Sequence, residues 1–514
     1  MICLRCRTQI TQMKGVPMMC DRFMTIFFLR CPQRMIQFSL LIAVAFGLPN
    51  AVRSQVNAAE PAVFRAGAAK VKITPPLGLE IVGNWNRPPA THIHDDLHVR
   101  CLALSDGTTT IAFAICDNVG IPRDVFDAAR KLIDSETDVP SANVLMSATH
   151  THSAVSARAD RKVDGVLILD SYQSLLARRI ADGIASAVAK MQPAKIGWGG
   201  VNEASEVHNR RWYVKDEKLL TNPFGGVDKV RMNPPRGSDK LVEPAGPIDP
   251  EVSFLSVQSL DGKPIALLAN YSLHYVGGVP SGDVSADYFG AFAEKIGKRI
   301  GADAESESFV GIMTNGTSGD VNNIAFREKS AKHEPYQRIN EVSNLIVQRV
   351  ADAYKEIKHH EWVSLSAASQ ELELQMRKPD PEMMRYFASL QDAGQSPANV
   401  HRLASIYGDR VSKIAEGPET SSILLQAFRI GDLGIVAIPF EVFAETGLDL
   451  KKRSPTSDTF TIELANGSYG YLPTPAQHKL GGYETWLGTN RVQLDASDRI
   501  SDVLLSLLDQ MGQK

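Results

Sequence analysis

Apolar, strand-like runs alternating with helical stretches place this 514-residue chain in the α/β class, with a mixed central sheet flanked by helices. Three observations predict it. Short apolar runs such as Ile111 to Ile115, Val144 to Met146 and Phe309 to Met313 have the composition of buried strands. Between them, stretches such as Ser171 to Met191 carry apolar residues at i, i+3 and i+4, the spacing of a helix that buries one face. Residues able to do chemistry also recur just past the ends of the apolar runs, where open α/β sheets bind their ligands.

Taken in order, Val71 to Ile73 ends at Pro75-Pro76 and leads into a loop holding His92, His94, Asp95, Asp96 and His98. Their mixed spacing favours a polar rim or a solvated loop over a metal site. Two apolar runs turn at Ser105-Asp106-Gly107, a hairpin whose register sets Cys101 opposite Ala112, so Cys101 and Cys116 read as buried thiols rather than a disulfide. Pro122 to Leu132 reads as a helix with proline in its first turn. Val201 to Pro250, rich in Gly, Pro, Asn and charge, reads as a long surface excursion that carries Asn209-Arg210-Arg211.

Val252 to Leu260 and Ile265 to Tyr271 form a hairpin over Asp261-Gly262, and the second strand delivers His274. Phe309 to Met313 runs into Thr314-Asn315-Gly316 and then Ser318-Gly319-Asp320. Ala331 to Ile357 is a long helix, and Pro379 to Leu403 reads as helical cover. A hairpin over Gly431-Asp432 ends at Pro439-Phe440-Glu441, Phe460 to Leu464 is a last strand before Tyr471, and Asp498 to Met511 closes the chain as a helix. No internal repeat is visible.

With 44% hydrophobic and 22% charged residues the chain is globular with ample core, and a net charge of -3 gives no support to nucleic-acid binding. Residues 1–59 differ in kind: Arg30, Arg34, the apolar run Met35 to Leu48 and the small residues through Ala59 read as a leader with a secretory signal peptide. Export to the periplasm or the extracellular space is expected, with translation starting at Met24 or Met35 as an alternative to Met1 and no stable transmembrane anchor after cleavage. Cys3, Cys6, Cys20 and Cys31 lie in this leader, and the lone C-x-x-C there is weak evidence for metal.

The chemistry concentrates around Asn143 to Ser153, where a strand runs into His150 and His152. Imidazoles at i and i+2 past a strand point to one side, as zinc ligands require. Asp117, His150, His274, Asn315, Glu441 and Tyr471 each stand at or just past a strand end. Singly, each has a plainer role: a hydrogen-bonded core histidine, a first-turn helix acid at Glu441, or packing at Tyr471. Together, two histidines, a carboxylate and a phenol suit Zn2+ with a position open to water.

These residues resemble the neutral ceramidases, zinc amidases that split N-acylsphingosine into sphingosine and fatty acid. The resemblance rests on Ala148-Thr149-His150-Thr151-His152-Ser153, Gly246-Pro247-Ile248-Asp249-Pro250, His274, Ile438-Pro439-Phe440-Glu441, and Tyr471 with Tyr483. It implies a single catalytic domain over 60–514 without the immunoglobulin-like C-terminal domain that the family often adds. It also implies His150, His274, Glu441 and Tyr471 as zinc ligands, and His152, Tyr483 and Arg210 as groups that hold the substrate carbonyl and its developing charge. The family has a serine beside the metal in a Gly-Asp-x-Ser-Pro-Asn turn; here Gly319-Asp320-Val321-Asn322-Asn323 puts Asn322 in that position, with Ser318 on the other side of the glycine. The glycine-rich segment expected after the histidines is replaced by Ala154-Val155-Ser156. The expected function is an exported zinc-dependent amide hydrolase acting on a small-molecule or lipid amide at or near a membrane surface. The alternatives are an amidase or esterase on another N-acyl or ester substrate, and a metal-containing binding protein without catalysis.

Overall fold

The computed structural model describes residues 62–512 apart from 159–161, 164–165, 304–308 and 393–399. The leader, its four cysteines and the expected signal lie outside the described residues. From Arg65 onward the chain builds one pattern of elements three times. The first unit is an antiparallel meander of β1 (Arg65–Lys72), β2 (His98–Ser105) and β3 (Thr110–Cys116), followed by helix α1 (Arg123–Glu136) and strand β4 (Val144–Ala148), which lies parallel to β3. Helix α2 (Ser171–Ala189) completes it. The second unit repeats this with β5 (Gln192–Asn202), β6 (Glu251–Ser259), β7 (Pro264–Tyr271), α3 (Asp287–Arg299), β8 (Val310–Asn315) and α4 (Gln337–Tyr354). The third has β9 (Leu365–Gln375), β10 (Thr420–Ile430), β11 (Leu433–Ile438), α5 (Ala444–Arg453), β12 (Asp458–Glu463) and α6 (Ala496–Gly512).

The first two meanders join through a short contact, Arg65 and Ala66 against Pro193 and Gln192, into one 8-stranded sheet in the order β8-β7-β6-β5-β1-β2-β3-β4; the third forms a separate 4-stranded sheet. All three share one apolar core, with Phe113 and Leu145 from the first unit, Leu255 and Ile312 from the second, and Phe428, Ile435 and Phe460 from the third. The outer faces are covered by helices: α1 and α2 through Phe126, Ile133 and Ile180, α3 and α4 through Phe292 and Ile346, and α6 through Leu504 and Leu508. A strand such as β3 is therefore buried on both sides. Ile111, Phe113 and Ile115 face the shared core and Ala112, Ala114 and Cys116 face the helices, which is why it reads as an unbroken apolar run. Truncating Phe113 to alanine would cost roughly 3–5 kcal/mol, the usual range for a buried phenylalanine.

The mixed α/β class with a flanked central sheet is as expected. The repetition of units is not visible in the sequence, because it is a repetition of topology and not of residues. The β2–β3 hairpin pairs Cys101 with Ala114 and Ala103 with Ala112, two residues from the expected register, because its loop runs from Asp106 to Thr109. Both thiols are nevertheless free and buried. The stretch Val201 to Pro250 holds a small sheet, in which Arg211–Val214 pairs with Arg231–Met232 and Leu241–Pro244, in place of a plain excursion. Strands β5 and β9 lack a strong apolar run and escape periodicity. No helix among the described residues is long and apolar enough to cross a membrane.

Each unit contributes one parallel strand pair, and the C-terminal ends of the three pairs come together. Ala148 donates its N–H to Leu464 O (3.2 Å) and Asn466 to Met146 O (2.8 Å), tying β4 to the end of β12. Asn270 Nδ2 donates to Thr461 O (3.0 Å), tying β7 to the same strand. Residues that follow β4, β7, β11 and β12 are thus delivered to one place.

Candidate metal centre

At that junction a ring nitrogen from each of His150, His152 and His274 lies within 4.8 Å of the others, the one such group of metal-competent side chains among the described residues. His150 Nε2 is 3.1 Å from His274 Nε2 and 3.2 Å from His152 Nε2, and Glu441 Oε2 is 3.5 Å from His150 Nε2. His150 follows β4, His274 follows β7 and Glu441 follows β11, so the three units each supply a part.

The outer nitrogens fix the tautomers. His150 Nδ1 meets the Val119 carbonyl at 2.5 Å, and His274 Nδ1 meets the Ser318 carbonyl at 3.1 Å. A carbonyl only accepts, so each Nδ1 donates and each ring turns its Nε2 inward. When both Nε2 atoms are unprotonated, two lone pairs 3.1 Å apart repel unless a cation stands between them, and buried Glu441 Oε2, 3.5 Å from His150 Nε2, has no hydrogen-bond partner. The donor set and this unpaired oxygen fit a divalent metal with nitrogen and oxygen ligands. The backbone is strained where it delivers the first of these rings, since His150 has φ of 77°, a left-handed conformation that non-glycine residues rarely adopt.

Burial pulls His274 well below the ordinary histidine range, and the neighbouring charges of His150 and Arg210 add to it. Burial, then His150, does the same to His152. Burial pushes Glu441 upward, but the charge of His150, the Tyr471 hydroxyl and Arg210 outweigh it, and its carboxyl sits below the usual range. All three are therefore held in the forms that bind cations.

Around these groups lies a second ring. Ser318 Oγ donates to Glu463 Oε1 (2.8 Å) and stands 3.2 Å from His274 Nδ1, while Glu463 Oε2 accepts from Val442 N–H (2.7 Å), beside Glu441. Burial pushes Glu463 well above the usual carboxyl range, and Glu441 adds to the shift. Tyr471, paired with Glu441 across a short parallel bridge, is in hydrogen-bonding reach of both Glu441 and Arg210. Arg210 is locked by Glu484 Oε1 (3.0 Å from Nε) and the Gly319 carbonyl (2.8 Å from Nη2), and its guanidinium lies 5.3 Å from the Tyr471 ring centre. Burial works against its charge, but Tyr471 and Glu484 hold it firmly protonated.

A cavity of about 910 Å³ opens onto this centre, lined by His150, His152, Glu441, Tyr471 and Tyr483 among others. The Tyr483 ring lies 5.7 Å from that of Tyr471. Burial raises the Tyr483 hydroxyl above its ordinary value, so it remains a hydrogen-bond donor.

Seven of the eight residues singled out from the sequence thus gather here: His150, His152, His274, Glu441, Tyr471, Tyr483 and Arg210. His152 comes as close to His150 as His274 does, although the family resemblance sets it outside the ligands. Asn322 does not line the cavity; its amide donates to Asn233 Oδ1 (2.9 Å) and its oxygen accepts from Ile324 N–H (3.0 Å). Of the other strand-end residues, Asp117 is spent on the buried Arg100 (2.5 Å), and Asn315 is buried but does not line the cavity. In the early histidine loop, Asp95 accepts from Ser285 Oγ and Ala286 N–H, and His94 stacks on Tyr336. These contacts knit loops together away from the cavity. Sequence reasoning missed Glu463 and Glu484; both are acids inside apolar or aromatic stretches, which was the available signal.

No protein-family model and no curated protein matches the sequence. Solved structures share the fold, two ceramidases among them. Neutral ceramidase from Pseudomonas aeruginosa matches with a TM-score of 0.63 at 16% identity, over 88% of this chain and 74% of that one. A ceramidase complexed with C2 matches with a TM-score of 0.64 at 16% identity, over 88% of this chain and 76% of that one. The chain is thus an α/β protein with a buried histidine cluster that could hold a metal, and its fold is that of these ceramidases.

Proposed function

We propose that this protein is a zinc-dependent amide hydrolase, ceramidase-like in its chemistry, that acts outside the cytoplasm. The observation that carries the reading is the convergence of His150, His274 and the Glu441 carboxylate, whose Oε2 lies 3.5 Å from His150 Nε2 without a hydrogen-bond partner, at the meeting point of three strand pairs, on a fold shared with two ceramidases. His150, His274, Glu441 and Tyr471 are the proposed ligands. Zinc held there supplies Lewis-acid activation of water and of a carbonyl oxygen.

The chain's own groups do the remaining work. His152 is neutral, borders the cavity and stacks on Tyr275 at 3.8 Å, so its position is fixed while it accepts or returns a proton. The protonated Tyr483 hydroxyl donates to the oxygen on which charge develops. Arg210, anchored by Glu484, orients Tyr471 and contributes fixed positive charge. The leaving amine takes a proton as the C–N bond breaks.

Metal analysis tests the site. Wild-type protein is expected to hold about one zinc per chain, and His274→Ala and Glu441→Ala to lose it; equal zinc in all three refutes the centre. His152→Ala that keeps zinc and loses turnover fits the assignment, whereas loss of zinc moves His152 into the ligand set. Hydrolysis of a fluorogenic ceramide, beside simple N-acyl amides and esters, tests the substrate. A second reading, an amidase or esterase on another N-acyl or ester compound, is favoured by Asn322: the residue in the family's serine position does not line the cavity and is tied to Asn233. Turnover of non-lipid substrates alone would select it.

A further inference from the structure

The cavity wall carries a cluster of cations that the hydrolysis of a neutral amide does not use. Arg410 and Arg491 line it together with Arg158 and, at its exposed edge, Arg87. Among the described residues no carboxylate lies within ion-pairing distance of Arg158, Arg410 or Arg491, whereas most other arginines near the centre are paired: Arg100 with Asp117, and Arg210 and Arg211 with Glu484. The acids that share the cavity, Glu80 and Asp124, form no ion pair with the cluster, and Glu441 faces the histidines.

The three guanidiniums line the same cavity. Arg491 is accessible from the cavity, yet desolvation, followed by the like charges of Arg158 and Arg410, pulls it below the ordinary arginine value. Arg410 is held by aromatic faces in place of acids, 4.9 Å from the Tyr407 ring centre and 5.9 Å from that of Trp85. Arg158 Nη2 reaches Ser468 Oγ at 3.5 Å. Like charges gathered without counter-charge are costly unless an anion joins them, and arginine's planar fork suits carboxylate and phosphate oxygens.

The cluster also has a defined place relative to the reacting centre. The Tyr471 ring contacts Tyr483, Tyr483 lies edge-on to Trp85 at 6.2 Å, and Trp85 lies under Arg410. An aromatic wall thus runs from the proposed zinc site to the arginines. We propose that Arg158, Arg410 and Arg491 form an anion subsite, so that the preferred substrate is an N-acyl amide with a carboxylate or phosphate group beyond the scissile bond. This rests on the amidase reading above. Water is the co-reactant: the carbonyl–nitrogen bond breaks, a carbonyl–oxygen bond forms, and the freed amine leaves with a proton while still carrying the anion.

The test uses zinc-loaded full-length protein and three substrates with one acyl chain: N-lauroylethanolamine, its phosphate ester, and N-lauroylglycine. Preference in kcat/KM for an anionic substrate by at least about tenfold is expected, and Arg410→Gln with Arg491→Gln should lower that ratio by about the same factor, mainly through KM. The phosphate and carboxylate arms show which anion fits. Equal turnover of all three, with the ratio unmoved in the double variant, overturns the subsite and leaves the amidase reading standing. If no amide is cleaved, the amidase reading fails and the subsite is judged by equilibrium binding: N-lauroylglycine binding more tightly than N-lauroylethanolamine, and about tenfold more weakly to the double variant, supports it. Loss of binding to anionic phosphatidylglycerol vesicles in the variant, with the substrate ratio unchanged, would mean that the arginines face a membrane and overturns it.

Discussion

Acid should destabilise the metal-free protein through its own histidines. His274 and His152 are held neutral in the folded chain, with pKa values below the ordinary 6.5, because burial penalises their charged forms. The unfolded chain therefore binds more protons than the folded one, so this contribution is complete above about pH 6.5 and is lost as the pH falls toward the folded values. Between about pH 7 and 5.5 a fully enclosed ring costs roughly 1.2 kcal/mol of stability by proton linkage. His274 is enclosed; His152 borders the cavity and should give somewhat less, for a total near 2 kcal/mol. Buried carboxyls act in the opposite sense: Asp287 and Asp320, each raised to about 6 chiefly by burial, gain stability as they protonate. The quantity to read is accordingly a difference. Urea unfolding of the zinc-free protein at the two pH values, wild type against His274→Asn, should show about 1.2 kcal/mol less acid loss in the variant. Saturating zinc should move the onset to lower pH. Identical pH dependence in both proteins would refute the claim that His274 is buried and neutral.

Three further outcomes follow from the same geometry. Ser318→Ala removes the hydroxyl between His274 and Glu463 and should weaken zinc binding by about 10–100-fold, read by competition with a chelator, while the fold survives. Glu484→Gln leaves Arg210 and Arg211 buried without their shared carboxylate and should cost roughly 3–5 kcal/mol in denaturant unfolding, with turnover falling as Arg210 loses its anchor. At Gly319 an added Cβ would stand 2.6 Å from the Glu441 carbonyl oxygen, so Gly319→Ala should cost about 1–3 kcal/mol and lower zinc content by displacing Glu441.

Much of the site was legible because its parts sit at strand ends, and an apolar run that stops at a polar residue is a local signal. His150, His274, Glu441 and Tyr471 carried it. The same signal misled at Asp117, since a strand-end acid facing a buried arginine looks no different in sequence from one that faces a metal. Asn322 is singled out by the family resemblance alone, as the residue in the serine's position, yet Ser318 on the other side of the glycine is the residue that touches His274. That choice depends on which way the chain leaves β8, which no local pattern encodes.

The sequence by itself determined the strands buried on both faces, the helices that cover them and the kinds of residues available for chemistry, because burial and periodicity are written residue by residue. Only the tertiary structure decided that three units of the same topology meet at their parallel strand ends. It brought Nε2 atoms more than a hundred residues apart within 3.1 Å, and it set three arginines along one cavity with no carboxylate among the described residues in ion-pairing distance. Those arrangements come from packing three meanders around one core, so they depend on distances between elements that lie far apart in the chain.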